Sequence, residues 1–220
     1  MPTATMDFTR QVDIINHQNL NEHPVTVIGA GGIGSPTVLG LTKMGVENMT
    51  IYDADALEDH NLPNQLYPLS DVGKPKVVAL QEVISTFTGV DITIKNERFK
   101  NQTVSGIVIS GVDSMTSRRD IWNRCKMNPT VPLYIEARMG GQFLRIFSFN
   151  PADIRLIKRY EEQLYSDEEA VHTPCTEKAI IYTVFSTASL ICNQVKKFVM
   201  GEPLNFDVMF DLKNMMLITQ

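Results

Sequence analysis

The chain contains few cysteines, and their spacing excludes one class of metal site. Cys125, Cys175 and Cys192 are the three cysteines among 220 residues, and no two of them form a Cys-x-x-Cys pair. A zinc site made of four cysteines cannot be built from this chain alone, so we expect no structural zinc. An odd number of cysteines without paired spacing is typical of a reducing compartment.

Long apolar runs and clustered basic residues are also lacking. No stretch of about 18 apolar residues is present, which predicts that no segment spans a membrane. The N-terminal residues lack the basic start and apolar core of a signal peptide, so a cytoplasmic protein is predicted. The formal net charge is −5. Nucleic acid is therefore not expected as the main partner, because binding to its phosphates needs clustered Lys and Arg.

The segments that the sequence does contain alternate between extended and helical patterns. Hydrophobic residues make up 43% of the chain, which is enough for one α/β domain over residues 1–220. A short helical arm is predicted at about 6–21. Further helices are predicted at 35–44, 74–88, 114–127, 154–164 and 177–200, and strands at 91–95, 107–109, 132–137, 143–149 and 206–212, in addition to the apolar runs at 25–28 and 49–52.

A glycine-rich turn follows the first apolar run. It reads Gly-Ala-Gly-Gly-Ile-Gly at residues 29–34, and the next apolar run ends on Asp53. This layout is typical of the nucleotide-binding βαβ unit of a doubly wound sheet. Gly29 permits a sharp turn, Gly31 lets the backbone approach a phosphate, and Gly34 lets the helix pack closely on the strand. Asp53 is suited to hold a ribose hydroxyl; the alternative is a purely structural turn.

Charged residues near other predicted strand ends distinguish two kinds of nucleotide chemistry. Asp53 and Asp55 precede an irregular loop that leads to Lys76, and Asp113 follows a buried strand. A lysine at a helix start can point back at a phosphate, and a carboxylate beside phosphates can hold Mg²⁺. A dehydrogenase needs neither, whereas nucleotidyl transfer uses both. The structural alternatives are a solvated Lys76 and an Asp113 that only caps the following helix.

Several short stretches together resemble one protein family. They are Arg10-Gln11, the glycine turn with Ser35, Asp53-Ala54-Asp55, Asn61-Leu62-Pro63-Asn64-Gln65, Gly73-Lys74-Pro75-Lys76, Gly111-Val112-Asp113, Arg138-Met139-Gly140-Gly141-Gln142 and the segment around Cys175. In this order and spacing, the chain resembles the ThiF/MoeB adenylyltransferases, relatives of the ubiquitin-activating enzymes. The resemblance implies an α/β, ubiquitin-activating-enzyme-like fold: a Rossmann-like, doubly wound, mostly parallel sheet with antiparallel additions and a crossover loop at about 165–176.

The resemblance also implies an activity. Enzymes of this family activate the C-terminal carboxylate of a small ubiquitin-like or sulfur-carrier protein, which usually ends in Gly-Gly. The carboxylate attacks the α-phosphate of ATP, an acyl-adenylate forms, and pyrophosphate leaves. ATP and Mg²⁺ are thus the expected cofactors. The protein's main task would be to align the reacting groups and to neutralise charge.

Roles follow from the resemblance by matched position. The phosphates would lie in the turn formed by Gly29, Gly31, Gly32 and Gly34, and Asn61 and Gln65 would line them. The ribose would be bound by Asp53, with Asp55 beside it. Lys76 would contact the reacting phosphates, and Asp113 would bind Mg²⁺. Arg10 matches an N-terminal arginine that reaches the ATP of the other subunit, which implies a homodimer. Arg10 as an ordinary surface residue and Asn61 as a turn residue are the alternatives.

Two positions complicate the resemblance. Asn64 stands where the family usually has an arginine that contacts phosphate, and asparagine cannot supply that charge. Arg118, Arg119 and Lys74 are candidates to replace it. Some members use a cysteine near the position of Cys175 to take over the activated acyl group, but related members carry one there without such a role. A helix start would favour its thiolate.

Two other functions remain open from the sequence. Activating enzymes can pair an active chain with a degenerate one, and Asn64 would suit the non-catalytic subunit of such a heterodimer. An NAD-dependent oxidoreductase would use the glycine turn and Asp53 alone. That second alternative leaves Lys76 and Asp113 unexplained.

Overall fold

The computed structural model describes residues 5–165 and 179–220. The strands are β1 (Val25–Ile28), β2 (Met49–Tyr52), β3 (Thr93–Lys95), β4 (Ile107–Ser110), β5 (Leu133–Gly140), β6 (Phe143–Phe149), β7 (Asp207–Asp211) and β8 (Met216–Thr219). The α-helices are α1 (His17–Leu20), α2 (Gly34–Met44), α3 (Lys76–Thr88), α4 (Met115–Cys125), α5 (Ile154–Glu161) and α6 (Ile181–Val199). Short 3-10 helices lie at Thr9–Gln11, Asp59–Asn64 and Leu69–Asp71.

The eight strands form one sheet in the order β3-β2-β1-β4-β5-β6-β7-β8. Strands β1 to β5 pair in parallel, and β6, β7 and β8 are added antiparallel. The chain winds outward from β1 in one direction and from β4 in the other. The edge where β1 and β4 end is therefore the switch point at which open α/β sheets bind ligands. The predicted fold class is confirmed, including the antiparallel strand after β5.

Helices cover both faces of the parallel part of the sheet. Helices α2, α3 and α6 pack on one face, with Leu41, Leu80 and Ile191 in the same apolar core as β1. On the other face, Trp122 of α4 and Tyr160 of α5 pack with aromatic residues of β5 and β6. Both strands at the centre of the sheet are buried on both faces, which explains their unbroken apolar sequences. No helix within the two described ranges is long and apolar enough to cross a membrane.

The central elements agree with the sequence prediction to within a few residues, and the two ends of the chain differ from it. Within 6–21, two short helical segments replace the predicted helix, because the chain is extended at Asn16 and that side chain caps α1. The last strand, β8, was not predicted, since its residues are exposed on both faces and show no alternation. Helix α6 is described from Ile181, and the crossover loop lies outside the described residues from 166 onward.

Two of the cysteines have the structural role that their helical positions predict. Cys125 on α4 and Cys192 on α6 are free thiols buried in the two cores. Burial raises the pKa of each thiol to about 12. Neither is therefore a thiolate at neutral pH, and neither is available as a nucleophile.

Candidate active site

Three strand ends bring the predicted site residues to one edge of the sheet. Ile28 at the end of β1 pairs with Tyr52 of β2 on one side and with Ser110 of β4 on the other. The glycine turn, Asp53 and the segment that leads to Asp113 follow directly from these residues. The carboxyl ends of parallel strands meet here, so the parts that the sequence predicts for a nucleotide site lie side by side.

The glycine turn needs glycine at three positions for steric reasons, one of which is Gly32, where a Cβ would lie 2.9 Å from the carbonyl oxygen of Asn64. Gly29 has a φ of +99°, and a Cβ there would lie 2.8 Å from the carbonyl oxygen of Gly111. A Cβ on Gly34 would lie only 1.8 Å from the carbonyl oxygen of Gly29. The turn thus folds back tightly on itself and against the end of β4. Gly31 is different, because a Cβ there would meet only Gln65 Nε2, at an ordinary 3.8 Å.

We expect Gly34→Ala to destabilise the fold far more than Gly31→Ala. The alanine methyl group at position 34 would overlap a backbone oxygen that cannot move without opening the turn. The free energy of unfolding should fall by about 3 kcal/mol or more, the upper part of the range for overpacking, and by less than about 1 kcal/mol for Gly31→Ala. Urea denaturation of both variants measures the difference. Equal losses would contradict the steric role of Gly34.

Asp53 is held in place by the backbone of the site itself. Its Oδ2 accepts a hydrogen bond from Ala30 N at 2.7 Å, and its Oδ1 accepts one from Asp55 N at 2.8 Å. Burial raises the pKa of this carboxyl above its ordinary value and outweighs the two backbone hydrogen bonds, which lower it. A carboxylate has about four acceptor positions. Asp53 can therefore fix the turn and still accept a hydroxyl group of a ligand.

Tyr67, which no sequence motif indicates, and Ser35, which follows the glycine turn, both support the turn. The hydroxyl of Tyr67 donates a hydrogen bond to the carbonyl oxygen of Ala30. Ser35 Oγ donates to Gly31 O at 2.8 Å and accepts from Leu66 N at 3.1 Å. The loop after β2 is thereby tied to the glycine turn. The only sequence signal for Tyr67 is a large aromatic residue in an otherwise polar loop.

Lys76 is a buried cation at the start of α3. Its Nζ lies 2.9 Å from Asp55 Oδ2, and its side chain is 10% exposed, against 62% for that of Asp55. The backbone N–H of Lys76 also donates to Asp55 O at 2.9 Å. The structure thus joins Lys76 to the acidic segment that follows β2. Lys76 is therefore not the solvated surface lysine of the structural alternative.

The 3-10 helix Asp59–Asn64 brings the next site candidates beside the turn. Asn61 Oδ1 accepts a hydrogen bond from Glu58 N at 3.1 Å, which is a local capping interaction. The Oε1 atom of Gln65 is buried and has no hydrogen-bond partner within the described residues. An amide can present either its carbonyl or its amino group. Gln65 is therefore the polar group of this loop that is left open to a ligand.

None of the candidates to replace the missing arginine is free. Arg118 is buried and pairs with Glu136. Arg119 donates to Tyr165 O at 3.2 Å, and Lys74 pairs with the buried Asp71 and the exposed Glu82. The position of Asn64 therefore has no replacement cation among these three.

Asp113 lies on a fixed segment, but its own side chain is exposed. The N-cap of α4 is Ser114, whose Oγ accepts from Ser117 N at 3.1 Å, so Asp113 is not the helix cap. No group of three or more His, Cys, Asp or Glu residues within the described residues could hold a metal ion alone. Mg²⁺ usually takes one or two carboxylates together with substrate phosphates and water. Asp113 beside the turn fits that mode, and a cage made only of protein groups is not present in the described part.

Arg10 is not brought to this edge. The neighbour of Arg10, Gln11, donates to Lys43 O at 3.0 Å near the far end of α2. Helix α2 has 11 residues and is thus about 16 Å long, which separates exposed Arg10 from the turn of its own chain. Cys175 lies outside the described residues.

The comparison with protein families agrees with this geometry. A model of the ThiF family matches residues 7–219. The chain belongs to the ThiF family. The match extends from the 3-10 helix at the N-terminus to β8, so it includes every site element described above.

Curated relatives of this ThiF family chain are longer than the aligned segments. The chain is 35% identical over 104 residues to the NEDD8-activating enzyme E1 catalytic subunit of Arabidopsis thaliana, covering 44% of this chain and 23% of that protein. It is 27% identical over 153 residues to the sulfur carrier protein ThiS adenylyltransferase of Escherichia coli, covering 63% of this chain and 61% of that protein.

A solved structure confirms the ThiF-type fold. The crystal structure of Escherichia coli MccB with AMPCPP and MccA superposes with a TM-score of 0.72 over 93% of this chain and 65% of that one. The sequence identity is 18%. The shared architecture is therefore the conclusion from this comparison.

Proposed function

We propose that this chain uses ATP to adenylate the C-terminal carboxylate of a small ubiquitin-like or sulfur-carrier protein. The observation that carries the proposal is the convergence of the glycine turn, Lys76 and Asp113 at one sheet edge. The set combines N–H donors, a cation and a carboxylate, which a reaction at phosphate requires. Membership of the ThiF family, with relatives named as adenylating and activating enzymes, supports the same chemistry.

In the proposed reaction, a carboxylate oxygen of the carrier protein attacks the α-phosphorus of ATP. A bond forms between these two atoms, the bond to the α–β bridging oxygen breaks, and pyrophosphate leaves with the electron pair. The N–H groups at the start of α2 bind the phosphates, and Lys76 stabilises the negative charge that moves onto the leaving group. Mg²⁺, when bound between Asp113 and the phosphates, would supply further charge neutralisation.

The contact with Asp55 would hold the Lys76 ammonium group in place before the phosphates bind. An ammonium group has three donors, so Lys76 can hold Asp55 and still donate to a phosphate. The exposed carboxylate can turn toward water while the buried ammonium stays in place. Asp55 thus acts on the reaction through Lys76 in this proposal, and the ribose is bound by Asp53.

A homodimer is the assembly that we propose, because Arg10 cannot reach the turn of its own chain. An arginine from a second copy would add the positive charge that Asn64 does not provide. Arg10→Ala and Lys76→Ala proteins should each be inactive, and their mixture should recover part of the activity. Recovery is measured by exchange after the subunits are mixed. A mixture that stays inactive, although mixed dimers form, would count against shared sites.

Exchange of labelled pyrophosphate into ATP tests the function directly. The chain is incubated with ATP, Mg²⁺ and a panel of small ubiquitin-like proteins that includes NEDD8, ThiS and any such protein encoded beside its gene. We expect exchange with at least one of them, and none when its C-terminal glycine is removed. ATP binding without exchange in all cases would favour the non-catalytic subunit instead.

The non-catalytic subunit is the second candidate, and one observation favours it. Asn64 has no phosphate-binding charge, and Arg118, Arg119 and Lys74 are engaged elsewhere. The buried Lys76 and the free Asp113 argue for an active chain. The oxidoreductase alternative is not supported, because hydride transfer would use neither Lys76 nor Asp113 and the chain belongs to the ThiF family.

Transfer of the acyl group to Cys175 stays a prediction from the family resemblance. The thiolate would attack the carbonyl carbon of the acyl-adenylate, a thioester would form and AMP would leave. Cys175→Ala should then keep pyrophosphate exchange and lose the carrier adduct that reducing agents release. Non-reducing electrophoresis measures the adduct. An adduct of unchanged intensity in the variant would rule out this thiol.

A further inference from the structure

A buried carboxylate on β5 organises the interior next to the proposed site. Glu136 is fully buried and pairs with Arg118 from α4 and with Arg138 from its own strand. Arg138 Nη2 lies 2.7 Å from Oε2 of Glu136, and the Tyr160 hydroxyl donates to the same oxygen at 3.1 Å. Burial would raise the pKa of Glu136, but the two arginines outweigh it and hold the pKa below its ordinary value. The carboxylate is therefore ionised and can anchor both arginines.

Arg118 connects this carboxylate to the segment that carries Asp113. Besides its contact with Glu136, Nη1 of Arg118 donates to Ala137 O at 2.9 Å, and Nη2 donates to Val112 O at 2.5 Å. Val112 directly precedes Asp113. A planar guanidinium is able to serve a carboxylate and two carbonyl oxygens in fixed directions at once.

The residues on either side of Val112 are fixed by other contacts. The N–H of Gly111 donates to Ile28 O at 2.9 Å, and Gly111 packs against Gly29 and Ile33. On the other side, Ser114 caps α4. Gly111 and Ser114 are thus held on either side, and the orientation of Asp113 depends on the Val112 carbonyl between them. Arg118 fixes that carbonyl by its hydrogen bond.

We infer that Arg118 is a positioning residue, which fixes the Val112 carbonyl so that the Asp113 carboxylate points at the Mg²⁺ of a bound nucleotide. The inference rests on the proposed function. It assigns Arg118 no contact with ATP, in contrast to the expectation that it replaces the missing phosphate-binding arginine. Partners that orient a metal ligand in this way commonly change metal affinity 10- to 100-fold, on the order of the effect expected here.

Arg118→Lys tests this role, and Arg138→Lys is the matched control. Lysine keeps the charge beside Glu136 but has one nitrogen, which cannot reach the carboxylate and the Val112 carbonyl in the same geometry. Arg138 pairs with the same carboxylate, and within the described residues it donates to Glu136 and to Gln163 O but not to Val112. A merely structural role therefore predicts similar effects of both variants, and a positioning role predicts a difference.

Two measurements that need no carrier protein separate these outcomes. Amide hydrogen exchange at Gly111 and Ser117, whose N–H groups donate to Ile28 O and Ser114 Oγ on either side of the Val112 carbonyl, should become about tenfold faster in Arg118→Lys and stay near wild type in Arg138→Lys. The affinity for Mn²⁺ in the presence of AMPCPP, followed by electron paramagnetic resonance, should fall about tenfold or more in Arg118→Lys only. Asp113→Asn should lose the ion without faster exchange.

Unchanged exchange at Gly111 and Ser117, or faster exchange with unchanged Mn²⁺ affinity, would overturn the positioning role. A wild-type protein that binds AMPCPP but recruits no Mn²⁺ would overturn the proposed metal role of Asp113. The hydrogen bond from Arg118 to the Val112 carbonyl would then have no metal ligand to orient. Failure of pyrophosphate exchange alone, with Mn²⁺ bound normally, would instead count against the proposed function. If Arg118→Lys does not fold, Arg118→Gln permits the same two measurements, because Glu136 keeps Arg138 as its counter-ion.

Discussion

Lys76→Ala lowers the rate of pyrophosphate exchange about 10²- to 10³-fold, which is the usual effect of removing one preorganised group that stabilises transition-state charge. Lys76 is buried beside Asp55 at the edge where the phosphates are proposed to bind, so its charge acts with little competition from water. The loss should appear in kcat more than in the affinity for ATP, because the charge on the leaving phosphates grows as the bond breaks.

Lys74→Ala is the matched control for this prediction. Lys74 lies two positions earlier, but its Nζ pairs with the buried Asp71 and the exposed Glu82. Its removal should change exchange less than about twofold, since its ammonium group is already held by these two carboxylates. If Lys74→Ala were as damaging as Lys76→Ala, the assignment of the catalytic lysine would be wrong. If Lys76→Ala kept its activity, the proposed charge stabilisation would be refuted.

Glu136→Gln destabilises the fold by about 3–5 kcal/mol, because it leaves two buried or half-buried arginines without their counter-ion. Arg118 and Arg138 both pair with this carboxylate, whose side chain is 0% exposed. Urea denaturation at neutral pH measures the loss. Glu82→Gln is the control, since it removes an exposed partner of Lys74 and should cost less than about 1 kcal/mol.

The ion pairs of Glu136 also predict how the stability of the fold depends on pH. The pKa of Glu136 is lower in the folded protein than its ordinary value of 4.5. A carboxyl group of this kind contributes its full stabilisation above the unfolded pKa and loses it as the pH falls through the folded pKa. The difference in stability between wild type and Glu136→Gln should thus be constant at neutral pH and shrink below about pH 4.5. A difference that does not change on acidification would contradict the ionised state of Glu136.

The βαβ unit could be predicted because its residues obey local rules. The buried strands are unbroken apolar runs, and Gly29 and Gly34 lie where the backbone has no room for a side chain. Gly45, with a φ of +104°, closes α2 as a C-terminal glycine usually does. The convergence of Asp53, the loop to Lys76 and Asp113 was predicted from their positions at the ends of predicted strands, where open α/β sheets bind ligands.

Contacts between residues far apart in the chain could not be predicted in this way. The link from Glu136 through Arg118 to Val112 depends on how α4 packs against β5, which no spacing in the sequence reveals. The sequence makes Arg118 a candidate for phosphate binding because it shows the positive charge but does not show that Glu136 is its partner. β8 was missed for the opposite reason, since an exposed edge strand has no buried face to impose a pattern.

The mass of the carrier protein after reaction tests the central claim most directly. A ubiquitin-like protein that supports exchange is incubated with the chain, ATP and Mg²⁺, and both carrier and nucleotides are analysed by mass spectrometry. A carrier that has gained one AMP at its C-terminus is predicted, with one pyrophosphate released for each adduct, and the adduct should form about 10²- to 10³-fold more slowly with Lys76→Ala. Formation of ADP and phosphate with an unmodified carrier would contradict it, because the bond at the α-phosphate would then remain intact.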